Sequence, residues 1–361
     1  MFVDLVDAPS ISATRYERLL AQGYFRSGGR MFRSELMCVE DEIWTPVNIR
    51  LDLQDFSLRK SQRKLLNRCR ASFRTTVAQL EITEEKDALY RGFKHRFKGF
   101  VHDSLALFLH EGHPHIEVET WEIGIWDGEK LIALSLVDRA GSSVASLLCV
   151  YHPDYARWSL GQCTLILEAL WAQESGVRWF YPGYVFDRPS LFDYKLRLGA
   201  MRYRTSKGRW ASWSHFDGSD TAAFRVLEAT EALEQALKRR LLPADKFVYP
   251  LYSLAFFQPG MEFLDLPTGF AFESGTEVKW VAGYHPVEMR FVLAEWTDLT
   301  LELQALKNAE WEELAGETAI QEVPALYRYG RRKMWFSDAS ALANHLYRAL
   351  RPPGTTPFIP V

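Results

Sequence analysis

Between residues 116 and 181 the chain lays down three apolar runs, a helical stretch and one more short apolar run, an order that few architectures accept. The runs VETWEIGIW, LIALSLVD and VASLLCVYH are separated by the turns DGEK and RAGSS, which predicts an antiparallel meander. In the following segment, DYARWSLGQCTLILEALWAQESG, the apolar spacing turns helical from about Ser159 and stops at Gly176. VRWFYPGY then reads as a fourth strand.

That order, β-β-β-α-β, resembles the core of the N-acetyltransferase-like (GNAT) fold and implies the α+β class. Upstream, TRYERLLAQ closed by Gly23 predicts a helix and VNIRLDLQDF a strand, so residues 14–58 read as a small α+β unit. Downstream of about 214, SDTAAFRVLEATEALEQALKRRLL predicts a long helix, followed by aromatic stretches rich in Gly and Pro and a last helix near SDASALANHLYRAL. Length of 361 residues with 47% apolar residues allows roughly two to three domains. The expected division is an N-terminal domain over 1–100, a GNAT-like catalytic domain over 101–214 and a C-terminal extension of unknown role over 215–361.

Composition narrows the function classes. The first 20 residues lack a basic stretch followed by an apolar one, and no run of about 18 apolar residues occurs, so a cytoplasmic protein with no membrane partner is expected. Four cysteines, Cys38, Cys69, Cys149 and Cys163, lie far apart without a C-x-x-C pair, so neither a disulfide framework nor a zinc ribbon is encoded. Net charge is −3, which excludes a globally basic coat. The distribution is uneven, however. Residues 59–100 hold 12 Lys and Arg against 4 Asp and Glu, +8 in all, leaving −11 for the rest. Within RKSQRKLLNRCRASFR, Leu65, Leu66, Cys69 and Phe73 fall in one arc of roughly 100°, and Arg59, Lys60, Arg63, Lys64, Arg68, Arg70 and Arg74 occupy the remainder. Such clustering suits a polyanion-facing surface; a solvated helical face is the competing reading.

Four ordered blocks then resemble the arginyl- and leucyl-tRNA-protein transferase family. They are YERLLAQGYFRSGGRMFR; FSLRKSQRK; LYRGFK; and the long series WDGEKLIALSLVD, YHPDYARWSLGQCTLILEA and YPGYVFDRPSLFDYKLRLGA, together spanning about residues 15–205. The resemblance implies transfer of Arg or Leu from aminoacyl-tRNA, the donor, to the α-amine of a protein or peptide N-terminus, the acceptor. Two departures stand out. The family's cysteine cluster is reduced to Cys38 in FRSELMCVEDEIWTPVNIR, and one thiol cannot hold an iron–sulfur cluster or zinc ion, so no cofactor and no metal is expected. The family's Arg-His pair is blurred into KHRFKG.

The implied chemistry is attack by a neutral amine on an ester carbonyl. An α-amine with a pKa of about 7.7–8.0 is partly neutral near pH 7, so positioning and oxyanion stabilisation carry most of the rate. Tyr184, Tyr194 and Lys195 are the expected catalytic residues: a phenol can donate to the oxyanion or to the leaving 3′-oxygen, and an ammonium can bind a phosphate or an acidic side chain. Packing plus solvation is the competing reading for all three. Ser159, Leu160 and Gly161 open the helix with free N–H groups and would hold the tRNA 3′ end together with Arg63 and Lys64; taken alone, Ser159 also reads as an ordinary N-cap. Lys60, Ser61, Gln62 and Arg26 are the expected acceptor-binding residues. His110, His113 and His115 in LHEGHPHIE are read as a polar loop, because Pro114 breaks the H-E-x-x-H spacing. Two rivals remain: an acyl-CoA-dependent GNAT-like acyltransferase, and a non-catalytic reader of protein N-termini or RNA.

Overall fold

The computed structural model describes residues 3–6, 8–96, 102–110, 115–257, 259–273, 279–299 and 326–349, in a mixed α+β fold. The chain divides into two compact units, one of Asp4–Glu35 with Thr45–Thr221 and one of Met1–Val3, Leu36–Trp44 and Ala222–Val361. Residues on both sides of 100 therefore share one unit.

In that unit the strands are β1 (Pro46–Asp52), β2 (Arg74–Gln79), β3 (Glu119–Asp127), β4 (Lys130–Ala140), β5 (Ser143–Tyr151), β6 (Trp179–Tyr181), β7 (Tyr184–Phe186), β8 (Arg202–Arg204) and β9 (Trp210–Ser212). They form one sheet in the order β9-β8-β1-β6-β5-β4-β3-β2, with β7 also paired to β1. Gly128 and Gly141 start the two-residue loops of the β3–β4 and β4–β5 hairpins with φ of +58° and +56°, a conformation that favours glycine. The helices are α1 (Ala13–Ala21), α2 (Lys60–Ser72), α3 (Glu84–Lys94) and α4 (Leu160–Glu174). Central strand β4 is buried from Leu131 to Asp138 because helices cover both of its faces. Ile132 and Val137 join the core built with Leu66 of α2 and Ile166 and Ala169 of α4. Leu134 and Leu136 meet Leu89, Tyr90 and Phe93 of α3 instead.

Three local expectations change. The predicted strand in 14–58 is β1, which lies inside the large sheet, so those residues are not a separate α+β unit. α2 stops at Ser72, and Arg74 opens β2, where Thr75, Thr76 and Val77 favour extended backbone. α4 begins at Leu160, with Ser159 as an N-cap held in the left-handed region at φ +56°, and the Ser159 hydroxyl makes no capping hydrogen bond.

The second unit is an antiparallel sheet of β10 (Asp245–Val248), β11 (Thr268–Glu273), β12 (Lys279–His285), β13 (Arg290–Asp298) and β14 (Tyr327–Phe336) in sequential order. Helices α5 (Ala222–Lys238) and α6 (Ala339–Ala349) pack on it through Leu233, Leu237, Leu342 and Leu346 against Phe270, Ala282 and Leu293. The Met37–Val39/Glu42–Trp44 hairpin also belongs here: Leu36 and Ile43 are buried with Val226, Tyr252, Leu266 and Val292, and the Tyr252 hydroxyl donates to the Leu36 carbonyl. Glu40 and Asp41, both at positive φ, form its tight turn. This hairpin occupies the stretch where the resembling family carries its cysteine cluster, here only Cys38. Its Cys38 thiol donates to the Tyr249 carbonyl at 3.6 Å, and burial pushes its pKa up to about 12, which disfavours the thiolate that metal ligation requires.

Candidate functional site

β5 and β6 run parallel for only three residues, Ser143–Ala145 against Trp179–Tyr181. Beyond that point β5 continues to Tyr151, while the other chain turns at Gly183, φ +96°, and enters β7, which pairs with β1 at Tyr184 opposite Asn48. The two strands therefore part. Ser190 and Asp193 form a reciprocal cap that starts the 3-10 turn Leu191–Arg197, and this turn delivers Tyr194 and Lys195 to the opening. Lys195 Nζ donates to the Tyr184 carbonyl at 3.1 Å and lies 4.7 Å from the Phe192 ring centre. A Cβ on Gly183 would stand 3.1 Å from Nζ, so glycine gives the ammonium its room. Burial pushes the Lys195 pKa down to about 8, opposed by the negative potential of Glu168.

Across the opening, a Cβ on Gly161 would be 3.9 Å from Cys149 Sγ of β5. The Leu160 side chain is core, so only its backbone N–H is available at the helix start, as it is for Gly161. Cys149 contacts the Thr164 hydroxyl at 3.2 Å, and burial raises its thiol to about 12. Tyr194, also raised by burial, lines an adjoining cleft of about 350 Å³ with Arg59, Ser61, Gln62, Leu65, Gln162 and Arg197. The Tyr184 ring packs on Phe25 and Phe192 at 5.1 and 5.4 Å.

The structure thus brings together Tyr184, Tyr194, Lys195 and the Ser159–Gly161 turn. Lys60, Arg63 and Lys64 stand exposed on α2, and Ser61 is exposed at the cleft rim. Gln62 and Arg26 are placed differently. Gln62 accepts from Arg59 N at 2.7 Å and donates to the Arg197 and Leu198 carbonyls at 3.0 and 2.9 Å, which ties α2 to the Lys195 turn. Arg26 is paired with buried Asp138 at 2.7 Å and donates to the Gly28 and Leu109 carbonyls. Tyr16 and Thr120 hydroxyls complete the Asp138 shell. Both side chains are committed to the fold rather than presented to an acceptor. His113 lies outside the described residues, as do the side chains of His110 and His115.

One member of the site escapes sequence reasoning. Glu168, in the otherwise apolar stretch 165–169, is buried beside Ser135, and its only cue in sequence is a charge where helix periodicity offers no polar face.

Residues 77–204, which include the strand opening, the Gly161 turn and the Tyr194–Lys195 pair, match the family model of the arginine-tRNA-protein transferase C terminus. The match, over about a third of the chain, supports an aminoacyl-tRNA-protein transferase. Over that region the chain is similar to the arginyl- and leucyl-tRNA-protein transferase family. An aspartate/glutamate leucyltransferase of Vibrio cholerae serotype O1 is 26% identical over 208 residues, 57% of this chain and 86% of that relative. The enzyme of that name from Leptospira interrogans is 24% identical over 202 residues, 54% of this chain and 77% of that relative. Among solved structures, L-PGS from Bacillus licheniformis gives a TM-score of 0.30 at 17% identity, covering 39% of this chain and 45% of that one, a likeness that carries no weight for the fold. No helix among the described residues is long and apolar enough to cross a membrane.

Proposed function

We propose that the protein is a cytoplasmic leucyltransferase of GNAT-like architecture, moving leucine from its tRNA to proteins with N-terminal Asp or Glu. Relatives named aspartate/glutamate leucyltransferase support the donor and acceptor. The parting of β5 from β6 after three paired residues, with the following β7 paired to β1 instead, supports the architecture. The observation that carries the reaction is Lys195, held at the strand opening by the Tyr184 carbonyl with its pKa lowered to about 8. On this reading the N–H groups of Leu160 and Gly161 face the tRNA 3′ end, and Tyr194 donates to the carbonyl oxygen as it becomes an oxyanion. Neutral Lys195 accepts the proton that the α-amine loses as its nitrogen bonds to the carbonyl carbon. The bond from that carbon to the 3′-oxygen breaks, and the proton passes to the leaving oxygen. Transfer is direct, because Cys149 stays a protonated thiol.

The test offers labelled Leu-tRNA or Arg-tRNA with peptides bearing Asp, Glu, Arg or Lys at the N-terminus. Leucine is expected on the Asp and Glu peptides, with the rate climbing as pH rises through about 8. Lys195→Ala is expected to lower the rate about 100-fold or more. Transfer of neither amino acid to any of the four peptides overturns the reading.

A further inference from the structure

The cleft beside Tyr194 has no part in the steps described above, yet its walls have a definite chemistry. At about 350 Å³ it is large enough for an amino-acid side chain, and α2, α4 and the turn carrying Tyr194 enclose it. Apart from Gln62, the buried part of its lining is aliphatic. Leu165, Ile166 and Leu198 are at most 5% exposed, and half-buried Leu65 adds to them. Gln62 brings little free polarity, because its amide is engaged with Arg59 N and with the Arg197 and Leu198 carbonyls. The exposed part of the lining is cationic. Arg59 and Arg197 both stand open to solvent there, and none of the ten lining residues carries a carboxylate.

Tyr194 joins this cleft to the chemistry. On the transfer reading its hydroxyl donates to the carbonyl oxygen of the ester, and the carbonyl carbon is bonded to the Cα of the amino acid in transit. The side chain branching from that Cα lies within a few bonds of Tyr194. The space that Tyr194 borders is the cleft.

We propose that the cleft receives the side chain of the transferred amino acid and selects leucine over arginine. This rests on the transfer reading above and adds the residues that choose the donor. Leucine gains by leaving water for Leu165, Ile166 and Leu198. Arginine loses twice. Its guanidinium presents five N–H donors where no carboxylate accepts them, and it arrives beside two like charges. Selection thus has an attractive half, the aliphatic lining, and a repulsive half, Arg59 and Arg197. The family motifs leave the donor as Arg or Leu; the charge of this cleft decides between them.

The experiment uses the full chain, a peptide with N-terminal Asp, and one RNA hairpin with a tRNA acceptor stem and 3′ CCA end, charged with leucine or with arginine so that only the amino acid differs. Wild type is expected to prefer leucine by about 100-fold in kcat/KM. Arg59→Glu combined with Arg197→Glu reverses the charge of the exposed lining and is expected to raise the arginine-to-leucine ratio by about 10-fold or more, while any weakening of RNA binding affects both donors alike and cancels in the ratio. An unchanged ratio overturns the proposal, and equal losses with both donors assign the cleft to the terminal adenosine instead. A second measurement needs no turnover and no variant. The same RNA carrying photo-leucine, a diazirine analogue, in amide linkage at its 3′ end is irradiated on wild type, and the crosslinked residues are read by mass spectrometry. Crosslinks to Leu65, Leu165, Ile166 or Leu198 are expected; crosslinks only elsewhere, or none, overturn the proposal. If wild type transfers neither amino acid, the transfer reading fails, while the crosslink map still decides whether the cleft takes the leucyl side chain.

Discussion

α2 and α3 are both amphipathic helices within the +8 segment, yet α2 carries five cations and no acid while α3 carries three of each, and the fold uses their charges in opposite ways. In α3 every cation has an acidic partner: Lys86 pairs with Glu122 at 2.6 Å, Arg91 with Glu84 and Asp87 at 2.5 and 2.9 Å, and Lys94 with Asp103 at 2.8 Å. Its acids work too. Glu85 accepts from Leu131 N and Asp87 from Leu105 N, and three acids in the first turn suit the positive end of the helix dipole. α2 contains no acid, exposes Lys60, Arg63, Lys64, Arg68 and Arg70, and pairs none of them with a carboxylate among the described residues. Cations near its N-terminus oppose the dipole, an arrangement that an arriving anion relieves. Charge counted along a sequence measures potential for binding only after intramolecular pairs are subtracted.

Three variants probe this contrast, the largest effect first. Lys86→Met leaves Glu122 buried without its partner and is expected to destabilise the protein by about 3–5 kcal/mol in urea unfolding. Arg63→Glu combined with Lys64→Glu is expected to leave stability nearly unchanged but to weaken tRNA binding by about 10-fold or more at low salt, and to flatten the log–log salt slope by roughly two units. Arg91→Ala removes only a half-exposed pair: stability should change by less than about 1 kcal/mol and tRNA affinity not at all. Equal losses of tRNA affinity in the α2 and α3 variants would erase the distinction between the helices.

The same contrast explains what was legible in the sequence. The β3–β5 meander could be read because its signals are local: apolar runs, and a glycine at the head of each two-residue loop. The order of blocks carrying Gly161, Tyr184 and Lys195 was legible for the same reason. What stayed hidden depends on distant partners. Arg26 looks free until Asp138, 112 residues later, takes its guanidinium, and Lys86 looks exposed until Glu122 covers it. Glu168 was concealed differently: α4 is buried nearly all round, so no polar face existed against which one carboxyl would stand out. The β10–β14 sheet was missed because the two-residue alternation that marks a strand is broken within it: β11, β12 and β14 each carry a glycine, and β13 is buried at four successive residues, Phe291 to Ala294.

The Leu36–Trp44 excursion has a consequence for biosynthesis. Leu36 and Ile43 leave the ribosome early, but Val226 and Tyr252, which bury them, follow about half a chain length later. During that interval the transferase unit can be completed up to Thr221 with a greasy hairpin looped out of it. Until the C-terminal sheet emerges, the apolar side chains of this hairpin lack the residues that bury them in the folded protein.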